Sequence, residues 1–475
     1  MREPLDPAFL PRLREALAPE RVLTESAERW PYGQDNSRRH ALPDAVALPV
    51  SHDEVAAAVA LCHEYGVPLT CRGTGTGTTG AAVPFAGGLV LSLERMNRIL
   101  RIDPANRLLV AEAGATNQSI QKAAGEQGFF WPPDPSSAAI CTIGGNLACN
   151  AAGPRAVKYG TTRDNTRALR AVTGTGQSLR VGELTSKGVV GYDLTRLLIG
   201  SEGTLAVITE ATLALTPLPE GRRTMQVTYA DIGGAARAVA AIMAQPVTPC
   251  TLEFIDGAAI DMIRDYSSAK LPENAGAMLM IEVDGQEAAL DDAAAAVAEA
   301  CRNDALLELT RADTAEATAA LWATRKALSP ALRNIAPKKI NEDIVVPVSR
   351  MPELIEGLDA LSEKYAIRIV NFGHAGNGNI HVNMLIDPDD PVQMKSAEAC
   401  LDEIFGMTLE LGGTLSGEHG IGVEKRDHIA RELDPVALTM MRAIRAQFDP
   451  KGILNPGKAL PLQPGEFDPV ASSSR

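Results

Sequence analysis

The chain has 475 residues, 45% of them hydrophobic and 22% charged, a length too great for a single core and a balance ordinary for a soluble globular protein. Its 59 acidic against 45 basic side chains leave a net charge of −14, which argues against nucleic acid as a general partner, and no apolar run approaches the ~18 residues of a membrane span. The cysteines Cys62, Cys71, Cys141, Cys149, Cys250, Cys301 and Cys400 are odd in number, scattered and without a C-x-x-C pair, so a disulfide framework, a zinc ribbon and an iron–sulfur cluster are all excluded.

The opening run "MREPLDPAFLPRLREALAPE" carries Glu3, Asp6 and early prolines rather than the basic-then-apolar layout of a signal peptide. A cytoplasmic location is therefore expected, with peripheral docking on the inner face of a membrane left open. Residues 1–40 read as an N-terminal arm: a helical lead-in, then the polar stretch "YGQDNSRRH". An Ala-rich helix is expected at Asp53–Glu64 and a short strand in "GVPLTCR".

Next comes "CRGTGTGTTG", Cys71 to Gly80, which contains the letters G-x-G-x-x-G. A Rossmann fingerprint must open a helix whose N-terminus holds a pyrophosphate. Here the continuation "AAVPFAGGLVLSLERM" places Pro84, Gly87 and Gly88 where that helix would run, and the chain returns at once to a strand, "GLVLSL". Two readings stay open for these ten residues. One is a nest of backbone N–H groups for an anion, helped by threonine hydroxyls and Arg72; the other is a plain Gly/Thr turn between strands.

From Ala41 to Pro219 short strands alternate with short helices, an α+β pattern rather than a doubly wound one, and 41–219 reads as one domain. A second domain, 220–422, opens with the strand "RRTMQVTYA". An Ala-rich helix, the strand "AMLMIEVDG" and the long helix "QEAALDDAAAAVAEACRN" follow, an order that suits an antiparallel sheet with helices on one face. A further helix is expected over Asp313–Ser329, stopped by Pro330, and "IVNFGHAGNGNIHVNMLID" reads as two strands around a Gly-Asn turn. Residues 423–460 form a closing segment with the turn "FDPKGILNPGK", and 461–475 read as a disordered tail.

Two short motifs near the C-terminus carry chemistry: His374-Ala-Gly-Asn-Gly-Asn-Ile-His381 and Gly417-Glu418-His419-Gly420. Strand alternation in "IHVNML" puts His381 and Asn383 on one face, with Ile380, Val382 and Met384 on the other. Two histidines flanking a tight turn, with a carboxylate from elsewhere, suit a divalent metal that keeps open positions. The alternative is a set of turn histidines hydrogen-bonded to backbone; three histidines and a glutamate in two glycine-framed loops favour the metal.

The runs "TCRGTGTGTTGAA", "WPPDPSSAAICTIGGNLACNAAGPRAVKYG", "GYDLTRLLIGSEGTLAVITEATLALTPLP", "NFGHAGNGNIHVN", "LSGEHGIG" and "FDPKGILNPGK" together resemble one family. It is that of the FAD-linked 2-hydroxyacid dehydrogenases of the vanillyl-alcohol-oxidase flavoprotein group, which includes D-lactate dehydrogenase, D-2-hydroxyglutarate dehydrogenase and the flavin subunit of glycolate oxidase. The resemblance runs from about Ala41 to Lys458 and implies an FAD-binding domain of that group plus an antiparallel-sheet cap.

By this resemblance Arg72, Gly73, Thr74, Gly75, Thr76, Gly77, Thr78 and Thr79 wrap the FAD pyrophosphate. Pro133, Asp134, Ser137, Thr142, Gly144, Gly145, Asn146 and Asn150 would line the flavin and ribityl region. Gly203, Val207 and Ile208 would follow the adenosine end, and Asn455 and Lys458 would return to the ring. The loop holds no histidine for a covalent link, so non-covalent FAD is expected, with Cys71 the one nearby thiol.

The resemblance further implies His374, His381 and Glu418 as ligands of a divalent metal, Zn2+ first and Mn2+ or Fe2+ as alternatives. His419 would be the general base, with the α-hydrogen passing as hydride to the flavin. Arg325 is the expected carboxylate clamp, and Asn383, Lys339 and Lys338 the further substrate contacts. Asn341-Glu342-Asp343 stands where the D-2-hydroxyglutarate enzymes carry a Lys-Tyr-Asp pattern, which weakens the dicarboxylate reading. D-Lactate is thus the first expected substrate, with D-2-hydroxyglutarate or glycolate as rivals, and a homodimer is the expected assembly. With no second redox motif in the chain, electrons must pass to something external: a quinone, a cytochrome, an electron-transfer flavoprotein or oxygen. A flavin-binding subunit of a larger complex and a colourless metal-only hydrolase are the competing classes.

Overall fold

In the computed structural model, which describes residues 4–264, 271–312, 314–322, 338–466 and 468–470, the Ala-rich run forms a helix over His52–Tyr65. Ser51, in extended backbone, accepts a hydrogen bond from the Glu54 N–H and so satisfies one orphan donor; Gly66 closes the other end in the left-handed region at φ 67°. The chain then enters the strand Leu69–Arg72, parallel to Leu89–Ser92, which is in turn parallel to Ala45–Ala47. Val22–Leu23 adds an antiparallel edge to this four-stranded sheet.

This sheet belongs to a first unit made of Met1–Gly153, Gly160–Leu218 and Glu418–Arg475. The first 40 residues, read from sequence as an arm, are built into it: Phe9, Leu13 and Leu17 are fully buried in one cluster with Val55, Val59, Leu69 and Leu89. Their four-residue spacing on the helix Phe9–Leu17 makes one apolar stripe, and burial of such a stripe is what holds a helix this short. The segment read as a disordered tail also makes contacts inside the unit. Asp468 Oδ2 accepts from Arg426 Nη2 at 3.0 Å, and Val470 packs on Val83, Phe85 and Val423.

A second sheet of this unit is antiparallel throughout, in the order Ile99–Asp103, Leu108–Glu112, Ala206–Ala214, Thr166–Thr173, Ser178–Gly182. Alternation along Ala206–Ala214 sends Val207 into the cluster with Val172 and Leu69, and Ile208 into the opposite one with Leu169 and Ala211. The C-terminal turn comes back to the first sheet: Leu69 N donates to Ile453 O and Asn455 N to Leu69 O, both at 2.8 Å.

The second unit comprises Pro154–Tyr159 and Pro219–Gly417. Its boundary with the closing segment therefore falls at Gly417, five residues before the position the sequence pattern marked. It is built on a seven-stranded sheet, every neighbouring pair antiparallel, in the order Leu306–Ala312, Gly221–Tyr229, Ala277–Gly285, Thr251–Asp256, Arg368–His374, Asn379–Ile386, Lys338–Val345. The helices Ile232–Ala244, Glu287–Ala300, Met351–Tyr365 and Pro391–Glu410 cover one face, packing on Val227, Leu279, Phe254 and Ile380. On the other face the short helix Gly257–Arg264 packs with Ile255, Met278, Val370 and Phe372. Of the helix expected over Asp313–Ser329, residues 315–322 are helical; the rest, Arg325 included, lies outside the described residues.

Candidate functional site

Beyond Arg72 the first unit opens into a cleft that is continuous with solvent. Its wall is the glycine loop itself. Gly75 and Gly80 each sit at φ 74°, where a Cβ is strained, and a Cβ on Gly73 would meet Thr142 Oγ1 at 2.1 Å, so the loop lies directly on its neighbour. Arg72 is buried, and its guanidinium is spent on the fold: Nη1 donates to Tyr32 O (2.8 Å) and Gln34 O (2.9 Å), and Nε to Gly73 O (3.2 Å).

Arg72 through Thr79 line this cleft, as do Ser137, Thr142, Gly144, Gly145, Asn146, Gly203, Ile208 and Asn455, and with them Glu418 and His419. Thr79 Oγ1 and Asn146 Nδ2 are buried there with no hydrogen-bond partner among the described residues, the mark of a surface that expects a polar guest.

Five residues read from sequence as cofactor contacts lie off the lining and brace it instead. The Pro133 carbonyl accepts from Asn117 Nδ2 at 3.0 Å, and Asp134 underlies Gly153, where a Cβ would come within 2.6 Å of Asp134 O. Asn150 is the left-handed cap of the helix Ile143–Cys149, its Oδ1 accepting from Arg163 N at 2.9 Å, and Val207 faces the core by strand alternation. Lys458 is buried, donating to Ala81 O (2.9 Å) and Asn455 Oδ1 (2.7 Å); the loss of solvent pulls its ammonium down to about 7. Glu202, which was not among the expected cofactor contacts, lines the cleft and is buried.

In the second unit the two motif histidines come together on the sheet face opposite the four helices. The turn between their strands needs Gly378, at φ 71°, where a Cβ would stand 1.9 Å from Val346 O. It leaves the rings of His374 and His381 with centroids 5.2 Å apart and planes at 86°. Across the sheet His374 pairs with Glu253, whose Oε1 is 2.5 Å from His374 Nδ1, a carboxylate contact that orients the ring. The sequence reading missed Glu253. Its only signal was the alternation in "TLEFID", which turns Glu253 away from the buried Leu252 and Phe254.

Asp343, the cross-strand partner of His381, accepts from Gly417 N through its carbonyl (2.8 Å) and its carboxylate (3.0 Å), and from Ser416 Oγ (3.2 Å). Glu418 is the next residue in the chain. One substrate expectation changes. The Asn383 amide is saturated within its own unit: Oδ1 accepts from Asn341 Nδ2 (2.7 Å) and Lys339 Nζ (3.3 Å), while Nδ2 donates to Val370 O (3.1 Å) and His381 O (3.0 Å). It fixes the His381 strand and has no hydrogen-bonding capacity left for a ligand. Lys339, exposed, keeps a charged head beside it.

Residues 218–459 match the family of FAD linked oxidases, C-terminal domain, and residues 43–182 match an FAD binding domain. The chain is 38% identical to glycolate oxidase subunit GlcD of Bacillus subtilis (strain 168) over 94% of its own length and 95% of that protein's. It is 34% identical to D-lactate dehydrogenase of Anaerostipes hadrus, over 95% of this chain and 97% of that one. Among solved structures, p-cresol methylhydroxylase with substrate bound shares the fold: the TM-score is 0.79 at 17% identity, covering 98% of this chain and all of the other.

Proposed function

Because the chain belongs to the family of FAD-linked oxidases, we propose that it is an FAD-dependent dehydrogenase of a D-2-hydroxyacid, with D-lactate the first substrate to test. One observation carries this reading: the cleft walled by the glycine loop is also lined by His419 and Glu418, so a proton acceptor stands in the same cavity as the cofactor's loop. The FAD is held non-covalently, since no histidine occurs in the loop and desolvation pushes the thiol of the half-buried Cys71 up to about 12. His374, His381 and Glu418 hold a divalent metal, zinc first, from one carboxylate oxygen and two imidazole nitrogens.

When bound, the flavin supplies a two-electron acceptor, and the metal a Lewis acid that makes the substrate hydroxyl more acidic. The chain's own residues do the rest. Glu253 fixes the tautomer and angle of His374 through Nδ1. Asp343 holds the peptide that leads into Glu418. His419 takes the hydroxyl proton on an imidazole nitrogen as the α-hydrogen leaves.

Lys339 and Arg325 are the cations proposed for the substrate carboxylate. At the positions where the dicarboxylate enzymes carry their motif, Asn341 donates to Asn383 and Asp343 clamps residues 416 and 417, neither of which adds a cation for a second carboxylate. That favours a monocarboxylate, D-lactate or glycolate, over D-2-hydroxyglutarate. Among the described residues no helix is long and apolar enough to cross a membrane, and we place the enzyme in the cytoplasm, docked peripherally where its external acceptor requires. A homodimer is the assembly to test, and a flavin subunit of a larger complex is the second reading, since one relative bears that name.

The test is anaerobic bleaching of the flavin in metal-quantified protein by D-lactate, L-lactate, glycolate and D-2-hydroxyglutarate in turn, with and without chelator. Fast, chelator-sensitive bleaching by one acid is expected. Bleaching by none, in protein replete with both groups, would favour the subunit reading. In the same assay His419→Ala should abolish flavin reduction while keeping FAD and metal, and His374→Ala should lose the metal.

A further inference from the structure

Glu202 occupies the left-handed region at φ 51°, between Gly200 at φ 87° and Gly203 at φ 71°. A non-glycine residue is strained in such a conformation, so a third glycine would be the less strained choice unless the side chain is used. Both carboxylate oxygens are used, and on one short segment. Oε1 accepts from Ile421 N at 2.6 Å, and Oε2 from Gly422 N at 2.7 Å. Gly420 lies against the same carboxylate, where a Cβ would be 3.0 Å from Oε1.

The residue that grips is itself fixed. Its own N–H donates to Ala148 O at 2.9 Å, its carbonyl accepts from Asn455 Nδ2 at 2.7 Å, and it is 5% exposed. A buried carboxylate is costly unless its oxygens are satisfied, and here two backbone donors satisfy one oxygen each. The gripped residues begin two positions after His419, and Glu202 lines the same cleft as His419.

We propose that Glu202 is a positioning residue for His419: it binds the Ile421 and Gly422 amides and thereby sets where the imidazole points within the flavin cleft. The inference rests on the reading of His419 as the base. It explains why a carboxylate and not an amide stands there, since glutamine has one acceptor oxygen and would turn an NH2 group toward one of the two donors.

The test uses the full-length, FAD-loaded protein and Glu202→Gln. Amide hydrogen exchange over peptides spanning 418–423 should lose protection, while the ratio of flavin to protein absorbance stays at the parent value. Anaerobic flavin reduction should slow roughly ten- to hundredfold, the cost of a misplaced catalytic group, and the limb of its pH profile that belongs to the base should move. Glu202→Asp, which keeps both acceptors on a shorter arm, should recover part of the rate and of the protection. Parent-like exchange and rate in Glu202→Gln would overturn the proposal. Loss of FAD from both variants would overturn it too, by assigning Glu202 to the cofactor cradle. Should His419→Ala reduce flavin at the parent rate, the base assignment fails instead, while the exchange data still report whether Glu202 holds the segment.

Discussion

Glu253 and His374 face each other across a strand pair, 121 residues apart in sequence, with Oε1 2.5 Å from Nδ1. Replacing the carboxylate by an amide keeps the shape and gives up the charge-assisted bond that orients the ring. Glu253→Gln is therefore expected to weaken metal affinity about 10–100-fold, read by competition with a chromogenic chelator, with FAD content unchanged. The histidines themselves were legible in the sequence because their chemistry is local: two rings around one glycine turn, and a Glu-His pair between glycines. Their supporting carboxylates were not. Glu202 meets Ile421 across 219 positions, and nothing near either residue announces the contact. Asn383 shows the opposite failure: alternation put it on the right face, but only the structure reveals that its amide is already saturated.

Among the elements, the helix Phe9–Leu17 is where sequence and structure differ most. It looked like the start of an arm because prolines flank it and a polar stretch follows, yet Phe9, Leu13 and Leu17 are fully buried in the first unit. Leu13→Ala should cost about 2–5 kcal/mol, the range for a buried leucine truncated in a packed core, and should lower the thermal midpoint of the FAD-loaded protein. A helix that was only an arm would show no such loss. The strand Thr251–Asp256 escaped because six residues are too few for a periodic pattern to stand out from a loop, whereas "AMLMIEVDG" was read to its limits as Ala277–Gly285. The strand–turn–strand around residues 374–381 was readable because its glycines forbid anything else.

For the molecule as a whole, the chain is partitioned so that the glycine-loop cleft lies in the first unit and the histidine pair in the second. The loop proposed for FAD and the histidine pair proposed for the metal have separate supports, while Glu418, the third proposed ligand, belongs to the first unit. A chelator should therefore strip the metal and leave the yellow flavin in place, measured by metal content against flavin absorbance after gel filtration; joint loss of both would show that neither support stands alone. What the sequence made plain at this scale was the sheet-and-helix class of each unit. The resemblance implied the return of the C-terminal turn to this domain, but its pairing with Leu69 was not visible, because backbone bonds carry no side-chain signature.

Between Gly417 and Ile421 stand only Glu418, His419 and Gly420. Within the first unit, Glu202 holds the N–H groups of Ile421 and Gly422, just beyond this tripeptide. A segment tied down in this way has already given up part of its conformational entropy when the protein folds. With His419 as the proposed base, a substrate finds that segment preorganised and need not order it. Binding free energy that a floppy loop would have absorbed is left to raise the turnover rate.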